Sequence, residues 1–410
     1  MKRLTKTWLR RLTITQGILL LFLAAPLVYA IAAVDAPTGF DNLTNGFESQ
    51  AQFDLDKATF DEREEIPDGL GPIYNAQACA ECHQNPVSGA TSQITELRVG
   101  RFDGFTFTNR PGGSLINDRA IDAAIQERVA GEDNVATFRT SLNTLGDGYV
   151  EAIPDSFFTN TRNAQPTGMK GTIISVPVNE APGVTRIARF GWKNQHASLL
   201  SFAADAYLNE MGITSPLQPT ENTSNGTSVA AFDTVPDPED AATGSFPNGT
   251  DVEAFARFMR STKPPGPDLA VANTPDVLAG KSLFTSIGCA NCHIASITTA
   301  PAGTSFNGGK FIVPAALGDK IIHPYSDFML HDVGTGDGII QNGGTISRTK
   351  MRTEPLWGLR TRTRLIHDGE DITRNNAILF HTNEAEPVIQ NYINLSTTQK
   401  NQLIAFINSI

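Results

Sequence analysis

The chain has 410 residues, a net charge of −11, 18% charged residues, 35 Gly and 24 Pro. Such a length predicts two or three domains, and the Gly and Pro content predicts long irregular loops. The acidic balance argues against nucleic acid and anionic membranes as partners. Beyond the N-terminal segment, no stretch is apolar enough to span a bilayer.

The N-terminus reads as an export signal. Lys2, Arg3, Lys6, Arg10 and Arg11 precede an apolar run from Ile18 to Val34, broken by Pro26, with a small-residue cleavage site at Val28-Tyr29-Ala30. An uncleaved anchor is the alternative, because the run is nearly long enough to cross a membrane. There is no cysteine near the site, which excludes a lipoprotein. Losing these five basic residues takes the net charge from −11 to −16, a surface suited to a basic soluble electron carrier.

Next come two copies of one motif, Cys79-Ala80-Glu81-Cys82-His83 and Cys289-Ala290-Asn291-Cys292-His293, which together use all four cysteines. Cys-x-x-Cys-His is the attachment signature of c-type haem. Its thiols add to the two vinyl groups, and the histidine binds iron from one face. A four-cysteine zinc site or a thioredoxin-like pair would not require a histidine after each pair. Cys79, Cys82, Cys289 and Cys292 are therefore the expected attachment points of two covalent haem c groups, with His83 and His293 as proximal ligands. Because c-type haem is attached outside the bacterial cytoplasm, a periplasmic or otherwise exported protein is expected.

Between the motifs, Gly171 to Pro177 and Val184 to Phe190 flank a turn at Ala181-Pro182-Gly183 and read as a β-hairpin. Residues 213–250 read as a surface loop, where the Asn222 and Asn248 triplets are incidental. Thr250 to Glu253 is a capping box opening a helix that carries Val252, Phe255, Ala256 and Met259. Lys263 to Pro267 follows as a linker. Another helix starts at Thr274 and carries Leu283, Phe284 and Ile287 into the second motif. The segment from Gly334 to Gly344 is a loop without a phosphate-cradle pattern. Ser396 to Gln399 caps a closing helix with Leu403, Phe406, Ile407 and Ile410 on one face. A helix leading into each motif and a helix closing it is the plan of a cytochrome c fold. The expected architecture is mainly α: residues 1–36 signal or anchor, 37–264 a first cytochrome c-like domain with long loops and the hairpin insertion, and 265–410 a second.

The sixth haem ligands decide function, since a thioether closes iron for electron transfer and an open position admits a substrate. Met259 reads as core and Met169 as a residue of a polar surface loop. Met211, Met329 and Met351 remain as candidates, the last two lying where a cytochrome c draws its methionine. His196 is placed to approach the first haem, while His323, His331, His367 and His381 suit bonds to propionates or backbone.

Several segments resemble the di-haem oxidoreductase family, often labelled thiol oxidoreductases. They are Gly69 to Ala76, Arg189 to Lys193, Met211 to Thr214, Tyr325 to Asp327 and Arg352 to Leu359. The resemblance runs from about residue 45 to the C-terminus. More distantly, Trp192 to Leu199 and Asn209-Glu210-Met211 are similar to segments of bacterial di-haem cytochrome c peroxidases and MauG-type enzymes. That likeness implies Trp192 as an inter-haem relay and Glu210 as the distal acid-base residue. Leu356 to Gly369 resembles the peroxidase segment that follows the ligand of the electron-transfer haem, which favours Met351, with Met329 and Met211 behind it. Relatives also hold calcium between domains, though no acidic cluster here carries a calcium pattern.

The function expected from these features is peroxidase-like haem oxidoreduction. The N-terminal haem would face substrate and the C-terminal haem would transfer electrons. Expected partners are hydrogen peroxide and a small cytochrome c or cupredoxin, with a membrane contact only if the N-terminus stays uncleaved. Rival readings are a pure electron-transfer cytochrome, MauG-like oxidation of an organic or protein substrate, and a haem-bearing accessory protein of a metal-uptake or respiratory assembly.

Overall fold

Ser49 opens the helix Gln50–Asp61 by accepting the Gln52 amide, and spacing puts Phe53, Asp56 and Phe60 on one buried face. That face meets the helix Asp251–Ser261, which starts from the expected Thr250/Glu253 capping box. Phe258 lies 5.4 Å from Phe53 and 4.6 Å from Phe60, and Arg257 grips Asp56 with bonds of 2.8 and 3.1 Å. This computed structural model describes residues 32–237 and 249–410. The cleavage site, most of the signal or anchor segment, and Asn248 itself lie outside those residues.

The second half repeats the pairing. Helix Pro275–Ser286 crosses helix Thr397–Ile407, whose Ser396/Gln399 capping box is also formed. Gly280 sits at the crossing, where a Cβ would fall 1.9 Å from the Gln402 carbonyl oxygen. Phe284 and Phe406 meet edge to face at 5.3 Å. In each half one phenylalanine of the pair touches the motif histidine: Phe60 lies 6.3 Å from His83, and Phe284 lies 6.1 Å from His293.

Strands fill more of the chain than expected. With 31% helix and 15% strand, helix exceeds strand without the predominance expected of a mainly α chain. The reason is a sheet inserted after the first motif. Its central strand Thr95–Phe102 pairs antiparallel with Val135–Thr140, Leu115–Ile116 and Phe107–Thr108. The expected hairpin forms between Ser175–Pro177 and Thr185–Ile187. Residues 213–237 form turns, although Val229 is buried among them. Val34–Asp35 joins a parallel strand to Lys320–Ile322. Among the described residues no helix is long and apolar enough to cross a membrane.

Two apolar cores lie under the motifs, within one continuous unit from Ala33 to Ile410. The larger joins Phe53, Phe60 and Phe258 to Phe311, Phe328 and Trp357, so residues of both halves share it. The smaller gathers Phe284, Tyr325, Tyr392, Leu403 and Phe406 under the second motif. Replacing Gly280 by Ala is expected to cost about 1–3 kcal/mol by overpacking the helix crossing. Thermal unfolding of the haem-loaded protein checks this, an unchanged midpoint being the contrary result.

Candidate haem sites

Both motifs fold into one tight turn. The His83 amide donates to the Cys79 carbonyl at 3.0 Å, and the His293 amide donates to the Cys289 carbonyl at 3.0 Å. Each histidine then turns Nδ1 toward a backbone carbonyl, Ala90 at 3.3 Å for His83 and Tyr325 at 2.9 Å for His293. That bond fixes the tautomer and leaves Nε2 as the free lone pair, the arrangement of a metal-binding histidine. Burial lowers the pKa of His83 and brings His293 down to about 4, so both are neutral. All four cysteines are unpaired. Burial pushes Cys82 and Cys289 up to about 12, and Cys79 and Cys292 upward as well. Thiols held neutral this way are poor candidates for thiolate redox chemistry.

Around the second motif the chain encloses a cavity of about 220 Å³ that takes Cys289, Cys292, His293, Trp192, Met169 and Met351 into its wall. His367 and Arg374 stand on the same wall, and each keeps a buried nitrogen, Nδ1 and Nε, without a partner among the described residues. Haem brings two propionates, acceptors of the kind such donors lack. The residues present therefore fit the group the motif implies. Beside Cys292, His331 bonds Asp327 at 2.9 Å and Glu384 at 2.8 Å. Burial works against its charge, but these carboxylates outweigh it and raise the pKa well above the ordinary value. Cys292, Asp327 and His331 lie within reach of one metal ion. An imidazolium offers no lone pair, however, and haem attachment consumes the thiol.

The first motif has polar surroundings. Glu210 belongs to the π-helical turn Tyr207–Met211, and its backbone carbonyl accepts from the amides of Asn75 and Ala76 at 2.7 and 3.0 Å. This docks Glu210 on the segment leading into Cys79. The Asn75 side chain donates to its Oε2 at 2.9 Å, and Glu96 hydrogen-bonds it. After burial itself, the charge of Glu210 is the largest influence holding the Cys82 thiol up. Burial first, and then the charge of Glu96, raise the pKa of Glu210. His196 joins the same cluster, bonding Asp205 at 3.1 Å, and Asp205 in turn acts on Arg98.

Trp192 stands with the second motif, apart from Glu210. Its indole donates to the Thr140 carbonyl at 2.9 Å and meets His367 edge to face at 6.2 Å. Thr140 pairs in the sheet with Thr95, the neighbour of Glu96, so one strand separates the tryptophan from the Glu210 cluster. A line of buried charges runs alongside. Arg139 lies 4.0 Å from Glu96 and 2.7 Å from Asp337, and Asp337 lies 2.8 Å from Lys193, the residue after Trp192.

Residues 116–410 match the family described as "Di-haem oxidoreductase, putative peroxidase". The chain belongs to the di-haem oxidoreductase family. The match contains the second motif, Trp192 and Glu210, while the first motif lies upstream of it. No curated protein matches this di-haem oxidoreductase. Three solved structures are similar to it at low identity. One is hydrazine synthase from Kuenenia stuttgartiensis, at 12% identity over 98% of this chain and 100% of that one, with a TM-score of 0.42. A second is the di-haem peroxidase BthA from Burkholderia thailandensis, at 12% over 92% and 94%, TM-score 0.41. The third is a MauG-like protein associated with microbial copper homeostasis, at 14% over 92% of each chain, TM-score 0.40.

The methionines of the di-haem oxidoreductase separate clearly. Met351 lines the second cavity from the strand Met351–Arg352, opposite His331. Met329 packs in the larger core against Gly171, where its sulfur would lie 2.9 Å from an added Cβ. Met211 and Met259 are buried in that core too. Met169, expected at a polar surface, lines the second cavity instead and accepts a bond from Asn291 at 3.7 Å. A turn closed by its amide on the Pro166 carbonyl folds it inward. Sequence reasoning also missed Glu96 and Arg98. The alternation in Thr95-Glu96-Leu97-Arg98-Val99 was the available signal, a strand pattern placing both polar residues on one face.

Met351→Ala is expected to remove the red charge-transfer absorbance of a methionine-ligated ferric haem and to lower that haem's reduction potential. Met329→Ala is expected to cost about 2–5 kcal/mol of stability and leave the absorbance in place. The opposite pattern would move the ligand to Met329.

Proposed function

We propose that this di-haem oxidoreductase is an exported peroxidase in which the first haem reduces hydrogen peroxide and the second receives electrons from a small soluble carrier. The observation that carries the reading is the asymmetry between the two motifs. A carboxyl group with a raised pKa, Glu210, stands at the first. A thioether, Met351, stands in the cavity of the second. The acidic chain suits a basic small cytochrome c or a cupredoxin as the carrier.

When bound, haem iron supplies the place where the oxygen–oxygen bond breaks and the electrons for doing so. Peroxide takes up two electrons and two protons and leaves as two waters. Glu210 donates the proton that lets the outer oxygen depart as water and regains one from the inner oxygen. Asn75 keeps the carboxyl aimed by its bond to Oε2. Trp192, one strand from that cluster and on the wall of the second cavity, is the aromatic stepping stone for the electron. The buried imidazolium His331 beside Cys292 favours the electron-rich state of the second site.

Peroxide-dependent oxidation of a reduced small cytochrome c is the assay. Glu210→Gln is expected to lower the rate by about 10²–10⁴-fold while both haems are retained. An unchanged rate removes the assignment. In the wild type the required species is the protonated carboxyl, whose pKa is raised. The rate should therefore hold through the ordinary carboxylate range and fall as pH rises through that raised pKa. A rate climbing with pH there would mean that the carboxylate, acting as a base, is the working form.

A further inference from the structure

The first haem site contains a second carboxylate. We propose that Glu96 is a positioning residue for Glu210: the two carboxyls share one proton, Arg98 holds Glu96 as the anion, and the proton therefore stays on Glu210. This deepens the peroxidase reading and rests on it.

The geometry distributes the charges unequally. Arg98 binds both oxygens of Glu96, Nε to Oε1 at 2.6 Å and Nη2 to Oε2 at 3.0 Å. This two-pronged pairing strongly favours a carboxylate over an acid. Arg139 stands directly across the sheet from Glu96 and adds a second cation at 4.0 Å. Glu210 receives only the neutral amide of Asn75, at 2.9 Å. Arg98 acts on Glu210 as well, but its direct bonds go to Glu96, and Asp205 in the same cluster bonds His196 at 3.1 Å. Two carboxyls hydrogen-bonded to each other and withdrawn from water cannot both ionise. With Arg98 bound to both oxygens of Glu96 and Arg139 only 4.0 Å away, the neutral member of the pair is Glu210. Burial works against ionising Glu96, but Arg98 and then Arg139 outweigh it, and the pKa of Glu210 moves the opposite way.

The consequence concerns direction as well as affinity for the proton. Strand Thr95–Phe102 is part of a sheet, and its ladder to Val135–Thr140 fixes where Glu96 stands. Glu210 comes from a π-helical turn whose backbone is docked on the amides of Asn75 and Ala76. An anion held beside the acid keeps the acid's hydrogen in place until a better acceptor arrives. A departing peroxide oxygen is such an acceptor.

Infrared pH titration of the haem-loaded full chain tests this independently of turnover. Subtracting the Glu210→Gln spectrum from that of the wild type isolates the carbonyl stretch of protonated Glu210. The expected result is a band present at neutral pH and lost only on the alkaline side. Glu96→Gln removes the anion and frees Arg98 to favour ionised Glu210, so the midpoint should fall by on the order of two pH units. Absence of the band at neutral pH in the wild type overturns the proposal without any change at Glu96. An unchanged midpoint in a Glu96→Gln protein that keeps both haems also overturns it, leaving Glu96 as an anchor for the two arginines. If the band shifts as expected but peroxide reduction ignores Glu210→Gln, the proton pair stands and the peroxidase reading goes. If the rate collapses and the midpoint stays, only the pair goes.

Discussion

Arg139, Asp337 and Lys193 hold the two haem sites in register. Asp337 takes two bonds from Arg139, at 2.7 and 2.9 Å, and one contact from Lys193 at 2.8 Å, with all three side chains essentially sealed from solvent. Burying three charges is expensive, and removing one member of such a set costs about 3–5 kcal/mol because it leaves the others unpaired. The arrangement persists because its hydrogen-bonding capacity is filled. Arg139 also reaches Gln341, and Lys193 also donates to the carbonyls of Ser347 and Lys350. A glycine-rich segment that would otherwise wander is thereby tied to the inserted sheet and to Trp192. Met351 follows directly from that tethered segment, so the placement of a ligand candidate depends on an ionic contact some distance away in sequence.

The charge states of the three are unequal, and this sets how the tether answers to pH. Burial brings Lys193 down to about 8, with Asp337 only partly compensating. Asp337 is held below its ordinary value, because Arg139 and then Lys193 outweigh its own burial. A depressed carboxyl contributes stability above its unfolded pKa and loses it as pH falls through the folded one. On the alkaline side Lys193 releases its proton more readily in the fold than in the unfolded chain, so its desolvation cost is relieved as pH rises past about 8. The stability of the tether is therefore lost on the acid side, as Asp337 is protonated, and not on the alkaline side.

What could be read along the chain was whatever chemistry is local. Both haem motifs, both capping boxes, the hairpin at Ser175–Ile187 and the helices leading into and out of the second motif depend on residues within a few positions of one another. The inserted sheet was harder, because Thr95–Phe102 meets Val135–Thr140 across more than thirty residues of turns and short strands. Its alternation is interrupted by Gly100, whose space is filled by Phe107 from the neighbouring strand. Met169 illustrates the same limit. Its neighbours Thr167, Gly168 and Lys170 are polar or small, and only the turn at Pro166 and the contact with Asn291, 122 positions away, explain its burial. Asp337 gave no local sign at all, since an aspartate in a glycine-rich loop ordinarily faces water.

The two motifs share their proximal half and differ on the other. A phenylalanine near 6 Å from the histidine ring, a backbone carbonyl on Nδ1 and a closing helix recur at both. These contacts are apolar or neutral and do nothing to distinguish one iron from another. The surroundings differ: Glu210, Glu96 and Arg98 gather by the first motif, whereas the cavity of the second takes Met169 and Met351 into a wall that also holds Arg352, Glu354 and Arg374. A low dielectric makes that difference large, because an unpaired charge or proton near the metal is poorly screened. One folding plan thus carries two different surroundings. The material between residues 95 and 210 supplies Glu96, Arg98 and Glu210 beside the first motif.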